Sequence, residues 1–178
     1  MTRIEPLSVY GPEIEEAAAA HVASGARMTN MKNTLAHDRV AFDALMSWYP
    51  LYESVKAFLG ERRAQLYSHA ISTQADCLIC STFFRRLMID RGEDPDALEL
   101  DEEDQLVVEL GRQLAVDAHG VSDDLFGRLR ARYDERQVVL LIAFGALMLA
   151  TNVVNDALQI PLDEYLHAYR AASAAPSR

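Results

Sequence analysis

Cys77-Leu78-Ile79-Cys80 places two thiols three positions apart, and no other short pattern in the chain carries chemistry so directly. The pair opens a stretch, Cys77 to Arg91, that reads as a helix closed by Gly92. One helical turn brings two sulfurs near enough to join as a disulfide with little backbone movement. Free backbone N–H groups and the dipole at a helix N-terminus favour the thiolate, the nucleophilic form. Asp76, expected to cap this helix, opposes that effect through its charge. The spacing thus points to a dithiol that cycles with a disulfide. Two other uses of the pair stay open. Small apolar side chains can simply line a helix face, and Cys77, Cys80, Phe84 and Leu87 do share one. A structural zinc site would need two more ligands, and His21, His37, His69, His119 and His167 lack ligand spacing. No metal and no cofactor is expected.

The elements around the motif all read as helical. No sustained alternation and no Asn-Gly or Asp-Gly turn between apolar runs marks a strand. A helix precedes the cysteines where a thioredoxin fold would need a strand. Glu13–Ala23 is a strong helix former with a mostly alanine apolar face, suited to loose packing or to a partner chain. Residues 25–33 read as a connector. Asp38 is the expected N-cap of Arg39–Trp48, and Pro50 is expected to interrupt before a short helix, Leu51–Leu59. Glu61–Ser72 comes next. Glu99–Asp104 reads as a solvated acidic turn before Leu106–Ala118, Ser122 opens a further helix through Tyr133, and Asp134 opens another to about Leu158. Pro161 begins a last helix. The expected architecture is one all-α domain over 25–170, with an N-terminal helical extension over 1–24 and a frayed tail over 171–178.

Composition narrows the classes of function. The 178 residues carry 27 acidic and 17 basic side chains, a formal net charge of -10. Nucleic acid and anionic membranes are disfavoured as partners, and the densest basic pairs, Arg62-Arg63 and Arg85-Arg86, fall on helices. The longest apolar run, Val138–Ala150, has 13 residues. A membrane span needs about 20, so the run reads as a helix buried in protein. The N-terminal stretch lacks the apolar core of an export signal, which makes the reducing cytoplasm the expected compartment.

The segment Glu61–Leu100, ERRAQLYSHAISTQADCLICSTFFRRLMIDRGEDPDALEL, is similar to the core of the carboxymuconolactone decarboxylase / alkyl hydroperoxidase D family. In that core a helix leads into C-x-x-C, and the following helix ends in Gly, an acidic residue and Pro. Upstream, Met28–His37 resembles the family's lead-in. Downstream, Val121–Phe126 and Thr151–Leu158 before Ile160-Pro161 resemble its closing helices, so the likeness spans Gly25 to Tyr165.

The resemblance implies an alkyl hydroperoxidase D-like helical bundle that assembles as a homo-oligomer. Having both cysteines, the chain resembles the hydroperoxidase branch, which reduces a small-molecule peroxide and is re-reduced by a protein or small-molecule dithiol. By that likeness Cys80 attacks the peroxide and Cys77 resolves the sulfenic acid. Cys77, at the helix start, is expected to be the more exposed. Three positions depart from the family motif: Gln65 stands where it has glutamate, and Ile79 and Phe84 stand where it has histidine. Neither Gln65 nor Phe84 can accept a proton at neutral pH. His69, one turn after Gln65, is the replacement candidate. Asn152 and Asn155 read as helix–helix or subunit hydrogen-bonding groups, His119 as solvated, and Arg85 and Arg86 as solvated or drawing in an anion. The absent relay leaves two alternatives: a non-catalytic oligomeric binding protein with a pocket lined by Phe83, Phe84 and Leu87, or a decarboxylase-like lyase.

Overall fold

The structure, a computed structural model, describes residues 2–171. Among these residues it is all-helical, with no strand. The helices are α1 (Pro12–Ala23), α2 (Asn30–Leu35), α3 (Arg39–Met46), α4 (Trp48–Leu59), α5 (Glu61–Gln74), α6 (Leu78–Asp90), α7 (Glu102–Val116), α8 (Asp123–Arg132) and α9 (Glu135–Ala157). Short 3-10 turns cover Ala118–Gly120 and Glu164–Tyr169. The tail expected over 171–178 lies outside the described residues apart from Ala171.

α5 is the central element, packed between α6, α7, α4 and α9. Its sequence suits that place, because small residues let neighbours approach. Its two buried hydroxyls satisfy themselves within the helix, Ser68 donating to the Ala64 carbonyl and Ser72 to the Ser68 carbonyl, both at 2.8 Å. Tyr67, fully buried, donates its hydroxyl to the Leu141 carbonyl of α9 at 2.8 Å. Glycines flank it on both sides. A methyl at Gly145 would collide with the Tyr67 hydroxyl, and one at Gly111 would come within 3.1 Å of the ring. These close approaches set the positions of α7 and α9 against α5, and α9 carries half of the site described below.

Several expectations change for local reasons. The connector over 25–33 contains the start of α2, because Thr29 caps it by accepting from the Lys32 N–H. Pro50 does not interrupt: it falls in the first turn of α4, where its missing N–H has no intrahelical partner anyway. Asp38, Ser122 and Asp134 cap as expected, each accepting from the backbone N–H three residues on. The acidic turn is not solvated throughout, since Asp104 is 1% exposed and ion-paired with both Arg62 and Arg63. The last helix is only the 3-10 turn Glu164–Tyr169. The segment over 1–24 docks on the same body. Ile14 clusters with Leu35, Ala36 and Phe42, and Val154 of α9 packs against them. Arg3 holds the end of α9 through the Leu158 and Ala157 carbonyls at 3.0 and 2.8 Å.

The apolar run inside α9 is not buried all round. The helix is long and apolar enough to cross a membrane, yet only 39% of its most apolar window is buried. Val139, Ala143, Ala146, Ala150 and Val153 form an exposed stripe along it, while Leu141, Phe144 and Met148 enter the core.

Candidate functional site

The cysteines lie where α5 ends and α6 begins. Asp76, expected to cap α6, instead terminates α5. It adopts a left-handed conformation, φ 56°, while its N–H bonds the Thr73 carbonyl and the Cys77 N–H bonds the Ser72 carbonyl. That is the paired closure of a helix C-terminus, and aspartate is among the few non-glycine residues that tolerate it. Cys77 therefore takes the N-cap position itself, with no side chain closing a capping hydrogen bond. α9 ends in the same way beside it, with Gln159 at φ 50° and the Gln159 and Ile160 N–H groups returning to the Asp156 and Asn155 carbonyls. Two tight helix ends thus meet at the dithiol.

Both thiols are reduced and their side chains approach to 3.7 Å. Cys77 is 0% and Cys80 7% exposed, which reverses the expected order of accessibility. The cause is that Cys77 sits under the α5–α9 junction, whereas Cys80, one turn on, faces a cavity. The two sulfurs also differ in acidity. The Cys80 thiol beside Cys77, with help from the Cys80 backbone N–H at the open helix end, pulls the Cys77 pKa down against the cost of burial. Cys80, donating that interaction and fully buried, is pushed well up, with Asn155 acting in the opposite sense. Cys77 is therefore the more acidic sulfur of the two.

Asn155 spans the pair. Its amide Nδ2 donates to the Cys80 sulfur at 3.2 Å and reaches the Cys77 sulfur at 3.9 Å. Its Oδ1 is buried and unpartnered among the described residues, as is Nδ2 of Asn152, whose Oδ1 accepts from Ser72 at 3.5 Å. Asn152 therefore binds between helices as expected, whereas Asn155 serves the sulfurs. Asp156, the next residue, stands on the Cys77 side and is exposed. Desolvation and the neighbouring Asp76 raise its pKa, and it acts on Cys77 by charge and by hydrogen bonding. Sequence reasoning missed both roles. The available signal was Asn-Asp in the last turn of a long apolar helix, but nothing in the sequence placed that turn beside the motif.

The cavity facing Cys80 holds about 280 Å³. Its wall is mainly aromatic and aliphatic, with Trp48, Tyr52, Phe83, Phe84, Leu87 and Met148 prominent. Phe83, Phe84 and Leu87 thus line a pocket, as the sequence indicated. Ile79 and Gln65 line it as well. The Gln65 side chain is tied on both ends, its Nε2 donating to Glu61 at 3.3 Å and its Oε1 accepting from Arg91. A second, shallow depression opens on the opposite side, bordered by Asp76, Asn155, Asp156 and Gln159.

His69 is not brought to the sulfurs. It does not line the cavity, its ring nitrogen lies 3.4 Å from the Thr73 hydroxyl, and the charges that reach it are Arg85, Arg112 and Asp96. Burial and those two arginines lower its pKa to about 4, so it is neutral at physiological pH. The reason is angular: α5 turns Gln65 toward the cavity and His69 toward the α6–α7 side. Arg85 and Arg86 pair with Asp96 and Asp90 instead of facing the cavity. His119 is exposed. No group of three or more His, Cys, Asp or Glu among the described residues is arranged to hold a metal. No protein-family model and no curated protein matches the sequence.

Proposed function

We propose that the protein is a thiol-dependent, peroxidase-like oxidoreductase of the alkyl hydroperoxidase D type, working through a Cys77–Cys80 dithiol/disulfide cycle. The observation that carries this reading is that Cys80 lines an apolar cavity while lying one sulfur contact from Cys77. The family likeness of Glu61–Leu100 and the helical architecture support it.

Cys77, the more acidic sulfur, once ionised takes the proton of Cys80, so that a thiolate forms on the sulfur facing the cavity. That thiolate attacks the outer oxygen of a hydroperoxide ROOH. The O–O bond breaks, the alkoxide leaves and is protonated to ROH, and Cys80 becomes a sulfenic acid. Cys77 then attacks the Cys80 sulfur, the S–O bond breaks, and hydroxide leaves as water with a proton. The dithiol has given two electrons, and an external dithiol restores it by exchange. Asn155 stabilises the charged sulfur through Nδ2. Asp156 exchanges the Cys77 proton with solvent, so this chain replaces the relay missing at Gln65, Ile79 and Phe84 from the opposite side of the motif.

We further read the chain as a homo-oligomer of the reducing cytoplasm. The exposed Val139–Val153 stripe of α9, spaced by threes and fours, suits packing against another copy. The burial of both sulfurs favours a second reading, an oligomeric binding protein on the same scaffold.

One assay separates the two. With a dithiol reductant present, the wild type should consume an organic hydroperoxide, and the Cys77→Ser/Cys80→Ser variant should fall to the buffer rate. Equal rates in the two proteins overturn the redox reading and leave the binding protein.

A further inference from the structure

The same cavity contains a charged group that the thiol cycle does not use. Lys32, on α2, is 5% exposed and lines the wall. Its Nζ donates to the Arg27 carbonyl and to the Tyr49 hydroxyl, each at 2.6 Å, and lies 5.0 Å from the Tyr49 ring centroid. All of these partners are neutral. No carboxylate pairs with it among the described residues, and one of its three N–H groups is left over. Asp163 is the carboxylate whose field reaches Lys32, but its Oδ1 already accepts from the Asn30 N–H at 2.9 Å. Burial without a contacting counter-ion lowers the Lys32 pKa to about 8, which leaves it charged at neutral pH.

A buried cation without an ion partner is costly, and proteins retain one where an anion arrives. Its surroundings fit such a role. Tyr165 lines the same end of the cavity, and the guanidinium groups of Arg27 and Arg86 lie 4.4 and 5.4 Å from its ring centroid. Three acidic residues line the wall: Glu53 binds Lys56 at 2.6 Å, Glu61 accepts from Gln65, and Asp163, whose Oδ1 accepts from the Asn30 N–H, acts on Lys32 by its field without contacting it. On a chain of net charge -10, most of the surface repels an anion, so a buried ammonium with an unused N–H is the place in this cavity that attracts one. The remaining wall toward Cys80 is mainly apolar, with Gln65, Thr151 and Asn155 among its polar members.

We infer that the cavity binds an apolar chain ending in a carboxylate, with the carboxylate on the Lys32 ammonium and the chain along the aromatic wall toward Cys80. This deepens the thiol reading in one respect and rests on it there: the preferred peroxide is an organic hydroperoxide that also carries a carboxylate. The binding subsite itself does not depend on sulfur chemistry.

Trp48, the single tryptophan of the sequence, lines the cavity and stacks on Tyr52, so its emission reports occupancy. Octanoate and 1-octanol are titrated separately into the full-length wild type, Lys32→Met and Cys77→Ser/Cys80→Ser. The wild type should bind octanoate about tenfold or more tightly than 1-octanol, as a charge-assisted bond in an apolar site provides. Lys32→Met should lose that preference while keeping its affinity for 1-octanol, and the cysteine variant should keep the preference. Equal affinities in the wild type, no response to either compound, or an unchanged preference in Lys32→Met overturns the subsite. Should Lys32→Met not fold, the wild-type comparison decides alone. Loss of the preference beside intact peroxide consumption removes only the subsite; intact preference without peroxide consumption removes only the thiol cycle.

Discussion

The two sulfurs of one helical turn have unlike surroundings. Cys80 looks into a cavity walled by Trp48, Tyr52, Phe83 and Phe84, where water is a poor competitor. Cys77 is fully buried, and the polar depression bordered by Asp76, Asp156 and Gln159 lies beside it without including it in its lining. On the proposed cycle an apolar substrate approaches Cys80 from the cavity, while the Cys77 proton exchanges through Asp156. The hydrogen bond between the sulfurs, with the burial of Cys80, accounts for their unequal acidities. Cys77 is the more acidic sulfur and Cys80 faces the cavity, so the proposed cycle requires one proton to pass between them.

Asn155 is the side chain that touches both sides, and its removal should have the largest effect on this comparison. Asn155→Leu keeps the volume but removes the donor to sulfur, together with the orphan acceptor, so folding stability should move little. A hydrogen bond to a charged group contributes about 2 kcal/mol. Peroxide consumption should therefore fall roughly thirtyfold, and thiolate absorbance should titrate at higher pH. An unchanged titration would mean that Asn155 serves only helix packing.

How much of this was legible before any coordinates depends on the residue. The all-helical class, the caps Asp38, Ser122 and Asp134, and the Phe83–Phe84–Leu87 wall follow from local signals, namely side-chain oxygens at helix starts and three-four spacing. The inverted exposure of the cysteines was not legible, because it depends on how the ends of α5 and α9 cross. Asp76 looked like a helix start but serves as a helix end, since a left-handed aspartate closing the preceding helix has no pattern distinct from an N-cap. Lys32 lay in a stretch that read as a connector, and its burial comes from tertiary contact with Tyr49. His69 shows the limit of spacing arguments. One turn from Gln65 is close along the axis, yet the helix rotates the ring out of the cavity wall.

Asp156 tests the solvent side alone, with a smaller effect. Its charge and hydrogen bond raise the Cys77 pKa, so Asp156→Asn should make the thiolate easier to form. Turnover should nevertheless fall, by about tenfold, short of the range typical of general acid–base groups because water reaches this face. The opposite signs are the signature. A purely electrostatic role for Asp156 would move titration and turnover together, in the direction of faster reaction.

His69 should matter least for the rate and still be visible in stability. His69→Gln should leave peroxide consumption within about twofold, because its ring faces neither side of the dithiol and the rate depends on groups within hydrogen-bond reach of the reacting atoms. Its depressed pKa has a thermodynamic consequence with a definite sign. The folded protein holds His69 neutral down to about pH 4, whereas an unfolded chain protonates it near the ordinary value of 6.5. Above that ordinary value neither state gains a proton and stability is unaffected. As pH falls from about 6.5 toward 4, the unfolded state binds the extra proton and stability declines, by up to about 3 kcal/mol before solvent screening reduces it. His69→Gln should flatten that part of the urea-midpoint profile and leave the region above pH 7 unchanged. A slope that survives the substitution would assign the acid sensitivity to other groups, and a fall in peroxide consumption would bring His69 back to the sulfurs.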